Sequence, residues 1–430
     1  MLTTVLIIIF IIGYAAIALE HPLKINKTAP ALLIGALMWA LWALLAPEQI
    51  HEIEHHLKIE LSEIAEILFF LMGAMTIVEL IDSHQGFKII TNRIKTKNAR
   101  TLLWIVSIIT FFLSALLDNL TTSIVMVSLL RKLVHDKNQR MYFVGMVVIA
   151  ANAGGAWSPI GDVTTTMLWI IGQISSVNIM KTLILPSLVC MFVPLFVLGL
   201  KMKGEVQRAD YDYEKAGQDE KVKGSLLMLI AGIAALIFVP VFKTVTHLPP
   251  YLGMMFGLSI IWVISELLHV DKTEEEKKPY TALHALSKID VSSVLFFLGI
   301  LLAIGTLSGT NVLSNLAVWM DETIGNKDLI AMSIGLLSAI VDNVPIVAAT
   351  QKMYALADFP MDSKIWEFIA YAAGTGGSCL IIGSAAGVAV MGMEKIDFIW
   401  YLKKISWLAL IGYLAGAAVY IAIYPIFAVH

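Results

Sequence analysis

Ser114-Ala115-Leu116-Leu117-Asp118-Asn119 and Ser338-Ala339-Ile340-Val341-Asp342-Asn343 are two copies of one pattern. Each sets an aspartate and an asparagine in the middle of an apolar segment, 101 to 134 in the first half of the chain and 328 to 357 in the second. A carboxylate deep in hydrocarbon costs about 2.5 to 3.5 kcal/mol on insertion scales, so one that is repeated marks a functional element that is repeated. Flanking matches keep the same order. Leu68-Phe69-Phe70-Leu71 returns as Leu295-Phe296-Phe297-Leu298, and Gly154-Gly155 with Gly161 returns as Gly376-Gly377 with Gly383.

Composition says what surrounds these segments. Of 430 residues 58% are hydrophobic and 15% charged, where a soluble chain carries about 25% charged residues. Mean hydropathy is +0.81. The chain reads as an integral membrane protein, and its long unbroken apolar runs exclude an outer-membrane β-barrel in favour of an α-helical bundle. A net charge of −3 without a basic block leaves nothing to hold nucleic acid. Cys190 and Cys379 both sit in apolar runs, which speaks against a disulfide or a cysteine metal site. Residues 2 to 19 lack the charged leader and cleavage site of a signal peptide and read as a retained first helix.

Runs of spanning length lie at 2 to 19, 29 to 46, 64 to 81, 141 to 172, 182 to 200, 225 to 242, 248 to 268, 290 to 308, 365 to 393 and 398 to 428. The two segments cut by Asp-Asn are single broken crossings or hairpins, and the basic residues decide. With both as hairpins and the N-terminus outside, the outer loops hold Lys58, Lys181, Lys243, Lys327, Lys352 and Lys364, and every other lysine and arginine falls inside. A single crossing at 101 to 134 would reverse everything after it. Five crossings plus one hairpin per half is an odd number, so the second half is expected to be inverted relative to the first. Residues 1 to 200 then form one inverted repeat, with hairpin 101 to 134 and broken helix 141 to 172. Residues 201 to 224 form a cytoplasmic linker, and residues 225 to 430 form the second repeat, with hairpin 328 to 357 and broken helix 365 to 393. Inverted repeats with interrupted helices are the pattern of a secondary transporter whose site lies at the midplane. The segment 270 to 288, with its Glu274-Glu275-Glu276-Lys277-Lys278 run, reads as a solvated inner loop.

The stretch from Ala151-Asn152-Ala153-Gly154-Gly155 through Ser158-Pro159 to Gly161-Asp162-Val163-Thr164-Thr165 breaks its helix. The freed carbonyls, with Asn152, Ser158, Asp162, Thr164 and Thr165, offer oxygens to a hard cation. Its counterpart, Gly374 to Ser384, keeps the break but carries Ser384 where the first half has Asp162, with Ser378 beside it. Asp118, Asp162 and Asp342 therefore make an acidic, asymmetric site. No lysine or arginine stands beside any of the four interruptions, so the cavity is expected to suit a cation. Asp-Asn also caps a returning helix well, a second duty for the same residues. Glu63, Glu66, Glu79 and Asp82 read as interfacial, with Glu66 a weaker candidate for a proton path. Asp290 reads as an N-cap, and His51, His55 and His56 as an exposed loop. No intramembrane histidine accompanies a candidate serine, so a hydrolase is not expected.

Asp118-Asn119-Leu120-Thr121-Thr122, the stretch Asn152 to Thr166, and Val341-Asp342-Asn343-Val344-Pro345 resemble the motifs of the NhaD-type sodium/proton antiporters. The wider likeness, over essentially the whole chain, is to the ion transporter superfamily, with its dicarboxylate carriers and arsenite permeases. Dicarboxylate carriers have Ser-Asn-Thr at their hairpin tips, and Asp-Asn here argues against a carboxylate substrate. The resemblance implies a homodimer and a transport unit that moves as an elevator. The expectation is a non-enzymatic, multi-pass antiporter of a bacterial inner membrane with both termini periplasmic and no cofactor. It would exchange cytoplasmic Na⁺ and Li⁺ for external H⁺. Asp118, Asp162 and Asp342 would hold the Na⁺ or the proton, and Asn119, Thr121, Thr122, Asn152, Ser158, Thr164, Thr165, Asn343, Ser378 and Ser384 would supply neutral oxygens. The rival readings are a cation- or proton-coupled carrier for organic anions and an arsenite efflux permease.

Overall fold

The computed structural model describes residues 2–91, 94, 96–206 and 222–427. Arg93, Lys95 and the middle of the expected linker 201 to 224 lie outside the described residues. Within them the regular structure is helical, apart from one isolated bridge between Asn98 and Glu205.

The first half contains α1 (Leu2–Ala18), α2 (Thr28–Leu45), α3 (Ile50–Ser83), α4 (Ala99–Leu117), α5 (Asn119–Leu133), α6 (Lys137–Ala156), α7 (Val163–Ile171) and α8 (Ser176–Lys201). The second contains α9 (Ser225–Thr246), α10 (Pro250–Leu268), α11 (Val291–Gly309), α12 (Val312–Thr323), α13 (Lys327–Leu337), α14 (Asn343–Met353), α15 (Lys364–Gly376), α16 (Ala385–Glu394) and α17 (Trp407–Phe427). Eight helices, among the described residues, are long and apolar enough to cross a membrane. Seven coincide with expected crossings. The eighth, α4, is the first arm of the expected hairpin 101 to 134, and at 19 residues it has spanning length by itself. The expected crossing at 2 to 19 is a helix of only 17 residues. His51, His55 and His56 do not form a loop. They lie on the first turns of α3, whose 34 residues extend about 51 Å and so outrun a hydrocarbon core of about 30 Å.

Two sets of helices pack against each other over one continuous apolar core. In one set α2 crosses α11 where Gly35 and Gly299 let the two backbones touch, and α3 packs on α9 and α10 through Gly232 and Gly73. In the other, α4 to α8 pack with α13 to α17, and Gly412 and Gly416 of α17 press on the Cys190 and Pro186 carbonyls of α8. Such small-residue crossings replace the hydrophobic drive that lipid does not supply.

The second set builds the same crossing twice. Gly154 of α6 abuts the carbonyl of Phe111 in α4, and Gly376 of α15 abuts that of Gly335 in α13. The Ser114 hydroxyl donates to Ala151 O at 2.7 Å, and the Ser338 hydroxyl to Ala373 O at 3.1 Å. After each crossing the helix stops, the chain turns through Gly161 or Gly383, and a short helix restarts after an extended Asp162 or Ser384 that caps it. Lys327, at the start of α13, places its ammonium 4.4 Å from the ring of Tyr354, just past the end of α14. The outer ends of these two arms therefore lie together.

Candidate functional site

Four helix starts meet at the breaks: Asn119 of α5, Val163 of α7, Asn343 of α14 and Ala385 of α16. Helix N-termini leave backbone N–H groups unsatisfied, and the sequence places a capping side chain at three of the four: Asp118, Asp162 and Ser384. Asp118 serves α5 with both oxygens. Oδ1 accepts from Thr121 N at 2.8 Å and Oδ2 from the Thr121 hydroxyl at 2.9 Å. It does so at φ 83°, a backbone region that favours glycine.

Asp342 holds the same position in the second copy, yet it caps nothing. The residue three places on is Thr121 in the first half and Pro345 in the second, and proline has neither an N–H nor a hydroxyl to give. Asp342 Oδ2 instead takes the Lys27 ammonium at 2.9 Å, and its buried Oδ1 has no hydrogen-bond partner among the described residues. Lys27 comes from just before α2, read in sequence only as an inner-loop residue. The expectation of a site without a basic partner is corrected here: none is adjacent in sequence, but one arrives in space.

Between the two breaks runs a buried polar chain. Asn119 Nδ2 donates to Asp162 Oδ2 at 2.9 Å and to Asn152 Oδ1 at 2.9 Å. Asn152 Nδ2 donates to the Ser378 hydroxyl at 2.8 Å and the Ser384 hydroxyl at 3.0 Å. Asp162 Oδ1 accepts from Thr164 N at 3.0 Å. This chain joins the two halves through side chains that are nearly or wholly inaccessible. Gly374 makes room for it, since a Cβ there would meet Ala156 and Asp162.

The hydroxyls of Thr122, Ser123 and Thr164 are buried with no partner among the described residues. They are the oxygens least committed to the fold. Ser158 and Thr165 give their hydroxyl protons to the carbonyls of Ala115 and Ala156, and so help to hold the break open. Asn343 is buried at the start of α14. Among the described residues no three acidic, imidazole or thiol groups come together as a metal cluster. Asp118, Asp162 and Asp342 are thus spread along the breaks and do not converge on one point. Asp290 caps α11 through Ser293 N, as expected.

Sequence reading missed several charged groups. Glu394 is buried between Arg131 Nε at 2.5 Å and Arg140 Nε at 2.8 Å. Glu367, buried in α15, bonds the Tyr420 hydroxyl at 2.8 Å and the Asn178 amide. Lys352 bridges Glu60 and Glu63 at 2.8 and 2.7 Å. The signal for the first two was in plain view: a carboxylate inside or just at the edge of the run 365 to 393.

A family model described as a citrate transporter matches residues 7–366. Sodium/proton antiporter 1 of Arabidopsis thaliana is 50% identical over 97% of this chain and 72% of its own length. The Na(+)/H(+) antiporter NhaD of Vibrio cholerae is 30% identical over 96% of this chain and 90% of its own, and that of Alkalimonas amylolytica 29% identical over 97% and 90%.

Proposed function

The chain belongs to the NhaD-type sodium/proton antiporters, and from that membership together with the geometry of the breaks we propose that it exchanges cytoplasmic Na⁺, and Li⁺, for external H⁺ by alternating access. The observation that carries this reading is the buried chain Asp162–Asn119–Asn152–Ser378/Ser384, which ties carboxylate, amide and hydroxyl oxygens of both halves into one buried site. A hard cation shedding water needs such oxygens, and the unpartnered hydroxyls of Thr122 and Thr164 add two more.

In this reading Asp342 is where the ion enters. It lines a cavity of about 350 Å³, with one oxygen unbonded and the other on an exchangeable ammonium. Asp162 completes the charge deeper in, and Asp118 sets the α5 N-terminus beside it. Protons and Na⁺ take turns on these carboxylates, because a site holding neither leaves buried charge uncompensated and costly to move. The moving unit is α4 to α8 with α13 to α17, sliding as an elevator past α1 to α3 and α9 to α12 in a homodimer. Antiparallel arms in each cut segment support the hairpin and inverted-repeat topology. In the second, Lys327 contacts Tyr354. For the first, Arg100 at the start of α4 bonds Gly199 O, and Lys201 stacks on Trp407. Tyr142, early in the helix after α5, meets Trp400, a few residues before the same end of α17. A bacterial inner membrane with both termini outside fits the distribution of basic residues.

The test is a ΔpH-dye assay in everted vesicles challenged in turn with NaCl, LiCl, KCl and citrate. Na⁺ and Li⁺ should each collapse the gradient, and citrate should not. Citrate-driven proton movement with no response to Na⁺ would replace this reading with an organic-anion carrier, the substrate named in the family description.

A further inference from the structure

Asp342 and Lys27 belong to different sets of helices. The aspartate stands at the start of α14, in the set that holds the breaks, and the lysine immediately before α2, in the other set. Their ion pair crosses the boundary between the two at 2.9 Å, with both side chains mostly buried. The ammonium also lies 4.4 Å from the ring of Phe296 in α11, so two partners of the same electrostatic kind hold it there. Burial works against its charge, but Asp342, with smaller contributions from Glu20 and Asp290, raises the Lys27 pKa from its ordinary value. The group remains a cation.

The surroundings give that cation somewhere to go. The cavity beside it, about 350 Å³, is lined by Lys27, Asp342, Glu20 and Tyr14 among others. Glu20 and Asp290 both act electrostatically on Lys27, and so offer it alternative negative partners. Asp342 Oδ1 and the Tyr14 hydroxyl, both buried, are each without a partner among the described residues. Two uncommitted oxygens thus line the cavity in which the lysine occupies the remaining carboxylate oxygen. In the other copy, Asp118 has no such vacancy, because Thr121 fills both its oxygens.

We propose that Lys27 is a tethered competitor of the transported cation: its ammonium takes the place at Asp342 that the cation must take, and leaves toward Glu20 when the cation binds. While the site is empty, the same ion pair ties the α14 hairpin to the opposing helices, so an unloaded unit is held back. Binding Na⁺ at Asp342 both loads the site and releases the tie. This deepens the exchange reading above and rests on it.

The experiment measures initial rates of Na⁺-driven proton release in proteoliposomes over a range of Na⁺ at one pH. Wild type is compared with Lys27→Gln and Lys27→Arg. Removing the competitor should lower the half-saturating Na⁺ about two- to fivefold in Lys27→Gln, the weight of a partly exposed ion pair. Lys27→Arg, which keeps the charge, should stay at or above the wild-type value. Lys27→Cys gives the same readout in a single folded sample: half-saturating Na⁺ should start low and rise after an ethylammonium thiosulfonate restores the charge. A merely structural lysine would change Vmax or yield and leave the half-saturating Na⁺ alone, and that result overturns the proposal. Absence of Na⁺-driven exchange in wild type would instead overturn the exchange reading.

Discussion

Asp118 and Asp342 look alike in sequence, and one residue three places away separates their duties. Thr121 engages both oxygens of Asp118, while Pro345 leaves Asp342 without a cap and open to a cation. Asp342→Asn should therefore insert normally and lose exchange entirely, since it removes a charge and breaks no cap. Asp118 divides into two tests. Asp118→Ala deletes the cap and should cost about 0.5 to 2 kcal/mol of stability, read as a lower unfolding temperature in detergent. Asp118→Asn can still accept from Thr121 N and should keep that stability. If its charge serves transport, exchange is lost all the same, and normal Na⁺-dependent dequenching in a stable Asp118→Asn protein would confine Asp118 to capping. Which polar residues gather at the breaks was legible because polar groups in an apolar run are few. Which aspartate remained free was legible only in part: Pro345 stood in the quoted motif, but its meaning required knowing that Thr121 caps with both of its groups. Lys27 was not legible at all, since it reaches Asp342 from 315 positions away along the chain.

At the scale of elements, the repeated glycines carried the most structural information. Gly154 and Gly376 each bring two helix backbones to direct contact, at Phe111 O and Gly335 O. A methyl group there would strike main chain, which cannot rotate away. Gly154→Ala and Gly376→Ala should each destabilise the protein by about 1 to 3 kcal/mol or prevent assembly. Gly172→Ala is the control. Nothing lies within 4 Å of its would-be Cβ, and its only cost is φ 88°, about 1 kcal/mol. Thermal unfolding of the three variants separates crowding from backbone strain, and equal effects would refute the close-crossing account. The paired glycines, with Pro159 in the first half, placed both helix breaks within a few residues of where they fall, because a broken backbone needs residue types that are rare in spanning helices. Helix ends in polar surroundings were less legible. The histidines at 51, 55 and 56 looked like a loop because charged and imidazole side chains crowd that turn, yet Ile53 is buried and α3 simply continues past the hydrocarbon thickness.

For the whole molecule, the ion pairs fall into two classes. Glu394 with Arg131 and Arg140, and Lys364 with Asp328 at 2.7 Å, join elements of the same set and would travel with it. The other class clamps α14 at both ends to the opposing set: Asp342 by Lys27, and Lys352, ten residues or about 15 Å farther along the axis, by Glu60 and Glu63 of α3. A unit that slides must break the second class and keep the first. Cysteines at positions 60 and 352, joined by a short thiol cross-linker in a background without Cys190 and Cys379, should stop exchange, and reducing the link should restore it. Cysteines at positions 142 and 400, where the Tyr142 and Trp400 rings lie 5.2 Å apart within one set, should cross-link without stopping it. The uncross-linked proteins report separately what losing each side chain does. Exchange that survives a quantitative link between 60 and 352 would mean that α14 does not move against α3, and the ion would then have to reach both sides through local opening of the breaks themselves.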